Sequence, residues 1–205
     1  MTDPHRIEDL ATLRTMLGEP SPVAQVKVWT ALDPAAQAFI ARAPFAVMAT
    51  ADADGNVDVS PKGDQPGFVA VEDERTLLVP DRKGNKLVFG LQNILVNPHV
   101  GLIFMIPGTN ETLRVNGHAH LTRDPAVCAR LVARGQPALL AIRVTIDECF
   151  FHCPKAFLRA ALWKPETWTP HPVSFGAIFA PRFGGDAAMA KQIDEALEKD
   201  ARENL

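Results

Sequence analysis

The chain has 205 residues, of which 47% are hydrophobic and 22% are charged, and these values are typical of a globular protein rather than a disordered or collagen-like one. The length predicts one domain with a core large enough to fold without disulfides or a metal. The net charge of −3 excludes a globally basic surface for nucleic acid, and the longest apolar run, residues 100–106, is far shorter than the roughly 20 residues that span a bilayer.

The first predicted elements are two helices joined by a proline-rich connector. Apolar residues at helical spacing predict an amphipathic helix over 6–17, and the sequence EPSP at 19–22 separates it from the second helix. Asp33 and Pro34 predict the start of that second helix, because aspartate caps a helix and proline fits its first turn. Pro44 limits the helix, so we expect a helical N-terminal extension over about residues 1–43.

The centre of the chain is rich in short strands. Apolar runs and alternating patterns predict strands at 45–50, 57–62, 68–71, 76–79, 100–106, 113–121 and 138–146. Further helices are predicted at 86–96, 125–134, 154–163 and 186–201. Several neighbouring strands have turn-length connections, which only antiparallel pairs allow. We therefore predict a mainly β (α+β) fold, an antiparallel barrel with peripheral helices, in a single domain over residues 1–205.

The sequence DRKGNK at 81–86 is the strongest candidate for a binding site. It places Arg82, Lys83 and Lys86 at the start of a predicted helix. That end of a helix already has partial positive charge and free backbone N–H groups, so a bound phosphate would relieve the repulsion. The alternative is a solvated loop in which three flexible cations cost little. A Walker A loop is excluded because its GxxxxGK[ST] pattern is absent.

Two predicted strands carry polar faces. Alternation along 57–62 places Ser60 and Lys62 on one face, where they suit a phosphate or a polar ring. On a later strand, Thr112 and Arg114 also point to one face. The alternative is that either polar face is simply exposed to solvent, which would give the same alternating pattern.

The segment 154–163 combines cations with tryptophan. Helical spacing would place Lys155, Arg159 and Trp163 on one face. Two stacked cations could hold an anion there, and the indole could lie against a ring. A solvated basic face with a packing tryptophan is the alternative.

Cysteine and histidine residues give no metal site. Cys149, His152 and Cys153 provide only three ligands, and no second pair stands at zinc-finger spacing. Adjacent residues of a strand point to opposite faces, so His152 and Cys153 do not form a nucleophile pair. His118 and His120 alternate along a strand and are expected at a surface or an interface.

Together these segments resemble the pyridoxamine 5′-phosphate oxidase-like flavoproteins, which have an FMN-binding split β-barrel. The resemblance covers about residues 40–165. It rests on the ordered set of VDVSPK at 57–62, DRKGNK at 81–86, NPHVGLIF at 97–104 and TLRVNGHA at 112–119. A later segment contains CPKA at 153–156, Arg159 and LW at 162–163. It is similar to the corresponding segment of a subgroup described only as FMN-dependent enzymes.

The resemblance implies a homodimer with one FMN in each of two clefts at the subunit interface. Arg82 and Lys83 would bind the FMN phosphate, and Lys62 matches a lysine at the phosphate or at the ring edge. The backbone around Val59 and Ser60 would lie along the isoalloxazine ring.

Further cofactor contacts are implied from other parts of the dimer. Thr112 stands where the family often has a glutamine that reaches the ring from the other subunit. Lys155, Arg159 and Trp163 would close the cleft, against FMN or against substrate. The complete set of implied cofactor-binding residues is Val59, Ser60, Lys62, Arg82, Lys83, Asn85, Thr112, Arg114, Lys155, Arg159 and Trp163.

The implied function is that of an FMN-dependent oxidoreductase with a small-molecule substrate or electron donor. Pyridoxamine phosphate is not the expected substrate, because the oxidases that use it end in a substrate-binding stretch with arginine, whereas this chain ends in GGD at 184–186 and an acidic helix. No side chain is identified as a general acid or base. The alternatives are a flavin store or redox sensor without turnover, and a barrel that binds a deazaflavin, or haem through His118, His120 or His152.

The cellular location is expected to be the cytoplasm. Three cysteines do not make a disulfide framework, so reduced thiols are the default. The polar, acidic N-terminus lacks the features of a signal peptide. No nucleic-acid or membrane partner is expected.

Overall fold

A computed structural model describes residues 3–84 and 86–203 of the chain. The strands are β1 (Phe45–Ala51), β2 (Val57–Gly63), β3 (Ala70–Asp73), β4 (Thr76–Asp81), β5 (His99–Met105), β6 (Thr112–Thr122) and β7 (Leu140–His152). The helices are α1 (Leu10–Leu17), α2 (Pro22–Gln25), α3 (Pro34–Arg42), α4 (Phe89–Val96), α5 (Pro125–Arg130), α6 (Lys155–Arg159), α7 (Phe175–Phe179) and α8 (Ala187–Glu203). Within the described ranges, no helix has both the length and the apolar character needed to cross a bilayer.

The seven strands form one sheet in the order β2-β1-β5-β6-β7-β4-β3, and every neighbouring pair is antiparallel. The turn between β1 and β2 shows how short the connections are, because Asp52 accepts hydrogen bonds there from the backbone N–H groups of Asp54 and Asn56. With helices around this sheet, the predicted mainly β split-barrel class is confirmed.

The hydrophobic core lies on the inner face of the sheet. Burial alternates along β5 and β7, as expected for strands with one face on a core. Phe104, Leu113 and Ile146 are completely buried, and each such side chain contributes about 1.5–3 kcal/mol by leaving water. Helix α3 adds Ala36 and Ile40 to the same core, so it is an integral part of the fold.

Two ion pairs connect strands that are distant in the sheet order. Lys62 Nζ on β2 lies 4.0 Å from Asp81 Oδ1 at the end of β4, and Arg82 Nε lies 3.3 Å from Asp64 Oδ2. Strand β2 is one edge of the sheet, and β4 is next to the other edge. The pairs therefore join the two sides of the split.

The helix predicted over 86–96 begins at Phe89 instead. Lys86 and Val88 have positive φ angles of 62° and 51°, which a right-handed helix does not allow. The basic loop is therefore longer than predicted, and α4 starts after Val88.

The helix predicted over 154–163 was also too long. Helix α6 ends at Arg159, and Ala161 has a φ of 48°. Trp163 therefore does not continue the helical face that carries Lys155 and Arg159, and the predicted single face of three side chains is wrong.

Two other boundaries differ from the prediction. The strand predicted over 138–146 continues to His152, because β7 pairs with β6 as far as Thr112. The helix predicted over 125–134 ends at Arg130. By contrast, α3 ends before Pro44, as predicted.

Candidate functional site

A cleft of about 920 Å³ opens where the ion pairs join β2 to β4. Its walls are β2, the segments 80–84 and 86–91, and the last turn of α8. This volume falls in the range of roughly 300–1,000 Å³ that is usual for small-molecule sites. The structure brings four of the predicted cofactor residues together here: Ser60, Lys62, Arg82 and Lys83.

The wall formed by β2 contains a buried hydroxyl without a partner. Ser60 and Lys62 are half-buried on the cleft side, whereas Val57 and Val59 are exposed on the other face, so the predicted alternation is confirmed. Ser60 Oγ is shielded from solvent and has no hydrogen-bond partner in the described chain. An unsatisfied buried hydroxyl is unfavourable, so Ser60 indicates a polar group that comes from outside the chain.

The loop after β4 supplies two unpaired cations. Lys83 and Lys86 are exposed at the cleft, and neither takes part in an ion pair within residues 3–84 and 86–203. Two ammonium groups without carboxylate partners are available to an anionic ligand.

Arg82 has protein partners already. Its Nε donates to Asp64 at 3.3 Å, and its Nη1 donates to the carbonyl oxygen of Leu131 at 2.8 Å. A guanidinium has five N–H donors, so Arg82 can hold these two partners and still donate into the cleft. It fixes the cleft wall as well as offering charge to a ligand.

Helix α4 directs its N-terminus at the same cleft. Its N-cap, Val88, has left-handed backbone angles and makes no side-chain capping hydrogen bond. A β-branched residue in this region is strained, and such strain is concentrated at binding sites. Gly90 also lines the cleft. The backbone N–H groups of the first turn lack a capping side chain, an arrangement that suits an anion.

Carboxylates balance the cations around the cleft. The four cations are Lys62, Arg82, Lys83 and Lys86, and the four carboxylates are Asp58, Asp64, Asp81 and Asp200. Burial raises the pKa of Asp81, against the opposing effects of Lys62 and Arg82. Selectivity for an anion therefore depends on the unpaired lysines and on α4, and not on net charge.

Three predicted cofactor residues on the strands lie outside the cleft lining. The Val59 side chain is exposed on the opposite face of β2, and its backbone pairs with Ala49 on β1. Thr112 is buried within its own chain at 4% exposure, so its side chain is not presented to a partner. Arg114 is half-buried on β6 opposite Phe150.

Arg114 belongs to a separate basic cluster. The guanidinium lies 5.1 Å from the centre of the Phe150 ring, and Lys27 Nζ lies 4.8 Å from it. His152 Nδ1 is buried without a partner in the described chain. Burial lowers the pKa of His152, and Lys27 and Arg114 lower it further, so this histidine is kept neutral near neutral pH.

The predicted residues of the 154–163 segment are not part of the cleft either. Lys155 and Arg159 are exposed on α6. Trp163 donates from Nε1 to the carbonyl oxygen of Thr109 at 2.7 Å, which fastens this segment to the turn between β5 and β6. The remaining predicted residue, Asn85, lies outside the described residues.

The cysteines and the other histidines have ordinary surroundings. Cys149 is buried and donates its thiol to Ala31 O at 3.3 Å, and burial raises its pKa. His118 Nδ1 lies 2.8 Å from Asp147. Across residues 3–84 and 86–203, no three histidine, cysteine or acidic side chains are grouped to hold a metal ion.

Sequence reasoning missed three contributors to the cleft. Asp64 lies two residues beyond Lys62, and the period of two along β2 could have placed it on the same wall. Gly90 was hidden because the start of α4 was misplaced. No local sequence pattern indicates Asp200, because α8 reaches the cleft only through a long-range contact.

Comparison with known proteins identifies one family. The family model described as pyridoxamine 5′-phosphate oxidase matches residues 32–153, a range that runs from the start of α3 to the loop after β7. No curated protein sequence matches the chain at a significant level.

Solved structures show weaker similarity. HupZ from Group A Streptococcus is 17% identical with a TM-score of 0.49, over 58% of this chain and 93% of that one. An FMN-binding protein from Syntrophomonas wolfei is 11% identical with a TM-score of 0.46, over 57% and 83%. HutZ, the haem storage protein from Vibrio cholerae, is 20% identical with a TM-score of 0.43, over 58% and 93%. These TM-scores are too low to add to the family match.

Proposed function

The chain belongs to the pyridoxamine 5′-phosphate oxidase family, and from this we propose that it binds FMN in the cleft between β2 and α4 and acts as an FMN-dependent oxidoreductase. The observation that carries the proposal is that Lys83 and Lys86, which have no ion-pair partner among the described residues, lie beside the N-terminus of α4, which has no side-chain cap. These groups fit the phosphate of FMN, and the orphaned hydroxyl of Ser60 fits its polar ring or ribityl chain.

The phosphate end of the proposed site is formed by residues 82–84 and 86–88. Lys83 and Lys86 would donate charge-assisted hydrogen bonds, and the first turn of α4 would donate backbone N–H groups. Arg82 would add a third cationic donor while keeping its bond to Asp64. Lys83 and Lys86 have no ion-pair partners in the described chain, so binding a phosphate there breaks no ion pair of theirs.

The ring end of the proposed site is the polar face of β2. Ser60 and Lys62 would orient the flavin, because a hydroxyl and an ammonium can each hydrogen-bond the polar edge of the ring. FMN supplies the hydride and electron transfer when it is bound. The residues of this chain bind it, hold its orientation and place positive charge beside it. The half-buried wall of β2 limits access of water to that side.

A homodimer is part of the proposal. The outer face of β2, β1 and β5 exposes the apolar side chains of Phe45, Val57, Val59 and Ile103, and an exposed apolar face on a sheet is typical of a protein interface. A second subunit on this face would lie next to the cleft, since one face of β2 lines the cleft and the opposite face belongs to the apolar surface. The basic cluster around Phe150 would then be available to the partner's cofactor or substrate.

The enzymatic part is tested by electron transfer. Protein reconstituted with FMN should show a flavin band near 450 nm that NADH or NADPH bleaches, and an added acceptor should restore the band. A flavoprotein that stays oxidised with a broad panel of donors would be a flavin store or sensor instead. A Soret band in place of the flavin band would identify a haem protein and overturn the proposed cofactor.

A further inference from the structure

The N-terminal arm, defined here as residues 3–26, is exposed to solvent along almost its whole length in the described part of the chain. Every residue of the arm is exposed except Ala24, which is half-buried. It nevertheless contains a regular helix, α1, with Asp9 as its N-cap accepting a hydrogen bond from Thr12 N at 2.7 Å. An isolated helix of eight residues is too short to be stable in water, so α1 needs a surface to pack on.

The arm also carries an apolar stripe that is exposed to solvent. Leu10, Leu13 and Leu17 lie at helical spacing on one side of α1, and all three are exposed, Leu17 at 77%. Val23 and Val26 continue the apolar character beyond α1 and are exposed as well. Such a stripe on a helix is the pattern of an element that packs against something.

The accessible surface of the chain is larger than that of a compact monomer. The chain exposes 13,842 Å², whereas a compact monomer of 22.3 kDa should expose only about 9,400 Å². Obligate homodimers bury about 2,000–5,000 Å² in total, or about 1,000–2,500 Å² on each subunit. The excess on one chain is larger than this share, so it leaves room for a dimer interface in which the arm takes part.

The root of the arm is fixed beside the face proposed for the partner subunit. Trp29 pairs with Cys149 through two backbone hydrogen bonds of 3.0 and 2.8 Å, and Lys27 lies over Phe150 on the outer side of β7. The arm therefore leaves the body next to Arg114 and the exposed strands, and not on the far side of the molecule.

We propose that the N-terminal arm packs its apolar stripe on a second copy of this chain, so that two subunits exchange arms. The proposal rests on the homodimer proposed above. The exchange is isologous, because each copy gives an arm and receives one, and a two-fold dimer requires such an arrangement. A membrane surface is a poorer occupant, since the arm carries four carboxylates and two arginines, whereas interfacial helices are rich in lysine and arginine.

Cross-linking between differently tagged chains tests this proposal. A His-tagged full-length chain with p-benzoylphenylalanine at Leu13 is co-expressed with a Strep-tagged wild-type chain, and dimers are isolated through both tags in buffer that contains FMN and irradiated. We expect a product of about twice 22.3 kDa that carries both tags. The matched control places the same group at Thr15, on the opposite side of α1, and should yield at least fivefold less product. Cross-links confined to the modified chain would overturn the arm exchange.

A second variant keeps the test independent of the cross-linker. The triple substitution L10Q/L13Q/L17Q should raise the dimer dissociation constant at least tenfold in sedimentation experiments, while T15Q should leave it unchanged. An unchanged constant in the triple variant would overturn the proposal, as would a monomer that binds phosphatidylcholine vesicles through the arm. Failure of FMN binding would appear separately, as absent flavin absorbance in a dimer that still cross-links in trans.

Discussion

Arg82 Nε lies 3.3 Å from Asp64 Oδ2, and this pair joins the loop after β4 to the residue immediately after β2. The Asp64 side chain is only 6% exposed, and Arg82 is the cation that compensates its charge. The same guanidinium donates to Leu131 O at 2.8 Å. One residue of the proposed cofactor site thus also holds the split sheet together, and this dual role separates Arg82 from its neighbour Lys83.

Replacing Arg82 should therefore affect stability more than replacing Lys83. Arg82→Ala removes the ion pair of the buried Asp64 carboxylate and leaves it only the backbone N–H of Gln65, which donates to Oδ1 at 2.8 Å, a change that costs about 1–3 kcal/mol. For a domain of this size, that loss corresponds to a Tm lower by several degrees. Lys83→Ala should change the Tm of the FMN-free protein by less than about 1 °C, because Lys83 has no ion pair in the described chain and exposed substitutions are close to neutral. Equal Tm values for the two variants would contradict the structural role of Arg82.

The double variant K83A/K86A should lose affinity for FMN. Each charge-assisted hydrogen bond to the phosphate is worth about 1.5–3 kcal/mol, so the loss should be at least tenfold and is measured by quenching of flavin fluorescence. K164A/K191A removes two exposed lysines away from the cleft and serves as the matched control. If both double variants bind FMN like the wild type, the phosphate does not lie at this loop.

Ser60→Ala should separate cofactor affinity from stability. The Ser60 hydroxyl has no partner in the described chain, so its removal should leave the Tm of the FMN-free protein unchanged or higher. FMN affinity should fall about two- to tenfold if the hydroxyl binds the cofactor. Ser174→Ala is the contrasting control, because Ser174 caps α7 and donates to Asp194. That variant should lose Tm and keep its FMN affinity.

Asp81→Asn should stabilise the protein at neutral pH. Burial raises the pKa of Asp81 above its ordinary value of 3.8, so the folded state disfavours the carboxylate form. The contribution of Asp81 to stability is therefore full below pH 3.8 and is lost as the pH rises through the raised pKa. The neutral amide avoids that loss. Thermal melts should show a higher Tm for the variant at pH 7 and no gain at pH 3. The control Asp54→Asn lies in an exposed turn and should give no gain in Tm at pH 7. A lower Tm for Asp81→Asn at pH 7 would contradict the prediction that burial disfavours the carboxylate of Asp81.

The strands of the site could be predicted because they depend on local alternation. The period of two along 57–62 placed Ser60 and Lys62 on one face, and that face is the cleft wall. The basic loop was predictable for a similar reason, since Arg82, Lys83 and Lys86 are close in sequence and their charges conflict with a helix start.

The parts that failed depend on backbone strain and on long-range packing. Nothing in the sequence marks Val88 and Ala161 as positive-φ residues, so α4 was predicted to start too early and α6 to end too late. The ion pairs of Lys62 with Asp81 and of Arg82 with Asp64 form only when the sheet closes. Local patterns therefore identified the cations but not their partners.

The most direct test of the proposed site compares FMN with riboflavin on the wild-type protein by fluorescence titration. The two ligands differ only in the phosphate, which we propose is held by Lys83, Lys86 and the start of α4. We expect FMN to bind at least tenfold more tightly than riboflavin, a difference of about 1.4 kcal/mol or more. Equal dissociation constants for the two ligands, or no binding of FMN at all, would contradict the proposed phosphate site.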